Sequence, residues 1–188
     1  DSVENTLNLV DTKKDESIRP SRYSYYDVGR LGKIKDQGIY GTCWAFASLT
    51  AVETSLMPEE KYDFSEDNMV WNSGYFGAQY DGGDYTRAIS YLASWRGPVL
   101  EEDDVYGDGI NNPDAGVVKH VQEAQIIESK NLEAIKKAVF LYGGVESSLY
   151  TSMSYAGERS MYYNDKNYSY CYIGTKKPNH DVVIIGWD

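Results

Sequence analysis

The side chains that can form a nucleophile–base pair at neutral pH are scarce in this chain: two cysteines and two histidines in 188 residues. Cys43 lies in "QGIYGTCWAFASLTAVETSL", residues 37–56, where a glycine-containing turn runs into a helical pattern. A thiol attacks only as the thiolate, and a free thiol with a pKa of roughly 8.5 is mostly protonated at neutral pH. A helix N-terminus and an adjacent imidazolium each lower that pKa. The helix start offers Cys43 the first; a histidine must supply the second. His120 sits in "VVKHVQEA", and His180 sits in "KKPNHDVVIIGWD", after a Pro-Asn turn and before the most strand-like run of the chain. A histidine at the mouth of a strand, backed by a rigid core, is well placed for general base work. Each residue also has a structural alternative. Cys43 can be a small buried hydrophobe, His180 a turn histidine bonded to its neighbours, and Gln37 a surface glutamine before a turn.

The segment "QGIYGTCWAFA" resembles the active-site signature of papain-like cysteine peptidases, in which a Gln stands six residues before a Cys-Trp pair that opens a long helix. In that family the histidine follows about 130–150 residues later. His180 lies 137 residues after Cys43, and His120 only 77. Three further stretches are similar to the family: "DFSEDNMVWN" to its "LSEQ" helix, "DGGDYTRAISYL" to its Gly-Gly segment, and "NHDVVIIGWD" to its histidine strand. The resemblance covers residues 20–188 and is closest to bacterial branches.

The resemblance implies a cysteine endopeptidase. Cys43 would attack the scissile carbonyl and form a thioester. His180 would pair with it and then protonate the leaving amine. Gln37 would donate to the oxyanion from its side-chain amide, with the backbone N–H of Cys43 as second donor; such donors are worth roughly 3–4 kcal/mol each. Gly82 and Gly83 would pair with an extended substrate backbone, since glycine lets main chain approach main chain. Trp44 would pack behind the nucleophile. Asn179 and Asp181 flank the histidine at the substrate. Asp181 stands where a small apolar residue is common, beside the main specificity pocket, and an acid there favours a basic or polar side chain two residues before the cut. Its structural alternative is an outward-turned Asp. No metal and no cofactor are implied. The partners it implies are a polypeptide substrate and the protein's own propeptide or a missing C-terminal segment. The same pair could also serve a transpeptidase or an exopeptidase, and the same scaffold a non-catalytic binding module.

Two departures matter. The family's disulfide partner three residues before the nucleophile is Tyr40 here, and "WNSG" also lacks a cysteine. Cys171 is therefore expected to be a free, partly buried thiol. The sequence closes at Asp188, before the family's "NSWG"-like motif, whose Asn orients the imidazole. The implied fold is thus α+β: a papain-like two-lobe fold with a helical lobe and an incomplete antiparallel β-barrel lobe.

The elements that must position these residues follow from local pattern. Residues 1–18 are polar and poorly periodic, and read as an extension or the remnant of a propeptide. Residues 19–110 form the helical lobe and 111–188 the β-rich lobe. Thr42 is the expected N-cap of a helix from Cys43 to about Met57, with Trp44, Ala47, Ala51 and Leu56 on one stripe. Ser65 caps a second helix, with acids in its first turn. A third runs from about Asp84 to Trp95. The acidic, turn-rich "EEDDVYGDGINNPDAG" is a loop between lobes. "VKHVQEAQII" alternates like a strand. "NLEAIKKAVFLYGG" is a helix with a glycine stop. "GVESSLY" and "DVVIIGWD" are strands. Helices first and strands later is the α+β order.

Composition narrows the classes. A formal charge of −11 opposes sequence-independent nucleic-acid binding and docking on anionic membranes. No run approaches the roughly 18–20 apolar residues of a membrane span. The acidic loop does not fit an EF-hand, which needs Gly at its sixth position and a final Glu. The resemblance points to a secreted or cell-surface location.

Overall fold

The computed structural model describes residues 19–75, 80–153 and 158–188. The expected extension, residues 1–18, lies outside these. In chain order the elements are β1 (Tyr23–Ser24), α1 (Tyr25–Val28), α2 (Cys43–Leu56), α3 (Glu66–Asn72), α4 (Tyr85–Ala93), α5 (Leu132–Leu141), β2 (Val145–Leu149), β3 (Tyr163–Asn164), β4 (Ser169–Tyr170), β5 (His180–Ile184) and β6 (Gly186–Trp187).

The helix starts follow local chemistry. Ser65 Oγ accepts from the N–H of Asn68, Asp84 Oδ1 from that of Thr86, and Asn131 Oδ1 from that of Ala134. Each satisfies an orphan donor of a first turn, worth about 1 kcal/mol. Thr42 departs from expectation. Its hydroxyl makes no cap bond and is spent on the Tyr106 hydroxyl, 2.6 Å away.

Helix α2 runs through the middle of the fold. Trp44, Ala45 and Leu49 pack with Phe64, Met69, Val70, Ala88, Tyr91 and Leu92 from α3, α4 and their approaches. Truncating one large member of such a core costs about 3–5 kcal/mol. The other side of α2 meets the ladder of β2 and β5. This helix is buried nearly all round, so a single apolar stripe describes it poorly.

The strands pair antiparallel as β1–β6, β2–β5 and β3–β4, and no closed barrel forms among the described residues. In the β2–β5 ladder Leu149 lies opposite His180, Ser148 opposite Asp181, and Glu146 opposite Val183. The segment expected as a strand at 118–127 is in no ladder. Val118 instead donates its N–H to Pro98 O, and Val118 and Val121 lie on the helical core. Their alternation reflects one-sided burial without a partner strand.

The start of the chain also crosses to the strands. Tyr25 is fully buried, its hydroxyl donates to Val139 O, and its N–H donates to Ile185 O. Arg30 lies over the Tyr25 ring and donates to the carbonyls of Thr54, Met57, Phe140 and Tyr142. One guanidinium therefore ties the end of α2 to the end of α5.

Candidate active site

Cys43 is the first residue of α2, and His180 the first of β5. β5 packs along α2, and the backbone N–H groups of Asp181, Cys43 and Trp44 favour the Cys43 thiolate over the thiol. Burial nevertheless pushes the thiol up from its ordinary value, and the Asp181 carboxylate adds to that. The helix start alone therefore does not produce the low thiol pKa expected of it: desolvation outweighs the donors. A thiolate here needs a cation beside it.

Gln37 sits in the loop before α2. Its Nε2 donates to Tyr40 O at 2.7 Å. A primary amide nitrogen carries two hydrogens, so this bond fixes the group and leaves one donor. The loop is pinned from three sides. Gly38 N–H donates to Asp36 Oδ1, and Gly41 N–H to Tyr80 O at 2.7 Å. The Tyr106 hydroxyl donates to Gln37 O at 2.9 Å and is shared with Thr42. Burial pushes the Tyr106 hydroxyl up to about 12, so it stays a donor at any physiological pH. Tyr106 comes from the acidic loop 101–116. Nothing in its sequence surroundings marks it as a support for the nucleophile loop.

Deeper in the same region Lys35 anchors the approach to Gln37. Its Nζ lies 2.9 Å from Glu53, 2.8 Å from Asp63 and 2.8 Å from Glu66. These carboxylates raise the Lys35 pKa and keep it charged. One cation does not offset three anions in a buried setting, and burial pushes Glu66 up to about 8.

Gly82 and Gly83 lead into α4 beside Trp44. Gly82 has φ +126°, a backbone that favours glycine. A Cβ on Gly83 would stand 2.6 Å from Trp44 Nε1 and 2.8 Å from Arg87 Cδ. The Arg87 guanidinium lies 4.6 Å over the Trp44 ring, so glycine, indole and cation form one stack behind the nucleophile.

Asn179 and Asp181 behave differently from the expectation. Asn179 commits both ends of its side-chain amide to the backbone of Thr151. Its amide closes the end of the ladder, and one Nδ2 hydrogen is left outside those bonds. Asp181 is 9% exposed and turned inward, where its Oδ1 accepts from Ser148 Oγ at 2.5 Å. Cys171 is exposed, because the short β3–β4 hairpin beside it covers little of it. His120 stacks on Trp95 at 4.6 Å, at the surface of the helical lobe. Among the described residues no group of acids, histidines and cysteines is arranged to hold a metal. No helix among them is long and apolar enough to cross a membrane.

A thiol opens α2 and a histidine opens β5, and the two elements pack together in an α+β fold. Residues 20–188 match the model of the papain family of cysteine proteases, and the chain belongs to that family. Falcipain-3 of Plasmodium falciparum is 28% identical over 178 residues, covering 92% of this chain and 34% of that protein. A cathepsin L-like proteinase of Fasciola hepatica is 27% identical, covering 89% of this chain and 52% of its own length. Among solved structures, the cysteine protease and lectin-like domains of Cwp84, a surface layer associated protein of Clostridium difficile, superpose with a TM-score of 0.76. That pair is 28% identical and covers 91% of this chain and 40% of the other. Cwp84 after propeptide cleavage gives 0.75 at 29% identity, covering 89% of this chain and 43% of the other. The chain thus spans about a third to a half of the length of these relatives.

Proposed function

We propose that the protein is a cysteine endopeptidase. Its Cys43 thiolate attacks a peptide carbonyl, and Gln37 Nε2 with the Cys43 N–H holds the resulting oxyanion. His180 then delivers the proton to the leaving amine, which departs and leaves a thioester on Cys43. Water, deprotonated by His180, releases the acid and restores the thiol. The backbone strip at Gly82 and Gly83 binds the substrate in extended form, and Asp181 lies at the substrate side chain nearest it. The observation that supports this reading is the packing of β5, which opens with His180, along α2, which opens with Cys43.

The partners are a polypeptide substrate and a propeptide, as the propeptide-cleaved neighbour supports. The surface-layer association of Cwp84 favours action at or outside the cell surface. Hydrolysis of a fluorogenic dipeptidyl amide tests the activity. The protein should cleave it, and Cys43→Ala and His180→Ala should each lose the turnover. Equal rates for the protein and Cys43→Ala would overturn the proposal.

A further inference from the structure

The Gln37 loop and the strip at Gly82 and Gly83 meet backbone to backbone. Gly41 N–H donates to Tyr80 O at 2.7 Å, and a Cβ on Gly41 would stand 2.9 Å from that oxygen and 2.9 Å from Gly82 N. No disulfide secures this junction, because both cysteines are free. Contacts of the Tyr80 side chain secure it. Its ring lies 4.6 Å from that of Tyr40, in the Gln37 loop, and meets Trp71 of α3 and Tyr106 edge-on. Its hydroxyl donates to Asp67 Oδ1.

Asp67, the second residue of α3, is fully buried. Gly107 N–H donates to the same carboxylate oxygen at 3.4 Å. The residue before it, Tyr106, holds Gln37 O through its own hydroxyl. Asp67 thus gathers the two chain segments that grip the Gln37 loop. Among the described residues Asp67 Oδ2 has no hydrogen-bond partner and the carboxyl is in no ion pair. A buried acid without a cation is costly, and an apolar side chain of its size costs less. Stability therefore does not account for an acid here, whereas the placement of Tyr80 does.

We propose that Asp67 is a positioning residue: acting through Tyr80, it holds the Gln37 loop and the Gly82–Gly83 strip as one unit. A peptide bound along the strip then presents its carbonyl to Gln37 in fixed register. The proposal rests on the peptidase reading for the roles of the loop and the strip. Neither Asp67 nor Tyr80 touches the reacting atoms.

The test compares the protein with Tyr80→Phe and with the double variant Asp67→Leu, Tyr80→Phe. Tyr80→Phe keeps the ring and the backbone carbonyl and removes the hydroxyl. The double variant removes both ends of the bond, so that neither end is left buried and unpaired. With a peptide amide long enough to span the strip, kcat should fall about tenfold and KM should rise about threefold in both variants. Loss of folded molecules lowers the apparent kcat and leaves KM alone, so a merely structural role would not move both. Amide hydrogen exchange should quicken about tenfold in residues 37–42 and 80–83 and stay unchanged in α5. A fall in kcat alone, or no change in kcat and KM, overturns the proposal. Unchanged exchange in either segment, or an equal rise in α5, also overturns it. If exchange quickens in both segments alone while the wild-type protein cleaves nothing, the Asp67–Tyr80 clasp stands and the peptidase reading falls.

Discussion

Replacing Lys35 by methionine tests how the approach to Gln37 is held. Among the described residues Lys35 is the only cation in contact with Glu53 and Glu66, whose side chains are 6% and 1% exposed, whereas Asp63 is half exposed. Lys35→Met keeps the aliphatic stem and removes the charge. Breaking a buried pair by removing one partner costs about 3–5 kcal/mol, because the other charge is left uncompensated. Asp63 adds little, since water screens it. The loss depends on pH, and its sign follows from proton linkage. Glu66 already holds its proton to about pH 8 in the folded protein, against an ordinary value of 4.5. Its raised pKa contributes stability that is present below the unfolded value and lost as pH rises through the folded one. Without Lys35, Glu53 joins it and retains a further proton that the unfolded chain releases. Stability should then fall by about 1.4 kcal/mol more per pH unit than in wild type, for one extra proton retained. Urea unfolding at pH 5.5 and 7.5 reads this directly. The expected penalty is about 1 kcal/mol at pH 5.5 and about 3–4 kcal/mol at pH 7.5. Replacing Glu53 and Glu66 by leucine and methionine in the same background should recover most of it. A penalty that is below about 1 kcal/mol at pH 7.5, or flat with pH, refutes the reasoning.

Other perturbations address the site more directly. Gln37→Ala should lower kcat about 10²–10³-fold with little change in KM, because an oxyanion donor acts in the transition state; a change in KM alone would remove Gln37 from that role. Gly83→Ala places a methyl 2.6 Å from Trp44 Nε1. It should therefore destabilise the protein by about 1–3 kcal/mol in thermal unfolding, whereas an unchanged midpoint would mean that the Trp44–Arg87 stack yields freely. Tyr106→Phe removes the hydroxyl shared by Gln37 O and Thr42. It should raise hydrogen exchange in residues 37–42 while leaving α5 unchanged, and equal exchange in both would deny Tyr106 its support of the loop.

What the sequence revealed and what it concealed divide by range. Ser65, Asp84 and Asn131 mark helix starts because a cap bond spans two or three residues. The strand at His180 was legible because five consecutive residues carry its pattern. Thr42 holds the N-cap position, but its hydroxyl has a better partner than the helix, Tyr106, 64 residues away. Residues 118–127 alternate like a strand, yet their alternation only places Val118 and Val121 on the helical core. Asp181 gave two local readings, and the register opposite Ser148 turns it inward. Glu146 carried no signal at all. The ladder places it against Ser48, 98 residues earlier in the chain. The thiol pKa was misread for a related reason: the helix start is visible in sequence, and the burial that outweighs it is not.

The most direct measurement is the intact mass of the protein after reaction with an epoxysuccinyl peptide, which requires an activated thiol in a formed cleft. Cys171 is exposed and serves as an internal control. The account predicts one adduct, on Cys43, absent in His180→Ala although iodoacetamide still reaches Cys43 in that variant. Labelling of His180→Ala at the wild-type rate, or an adduct on Cys171 in place of Cys43, would contradict it.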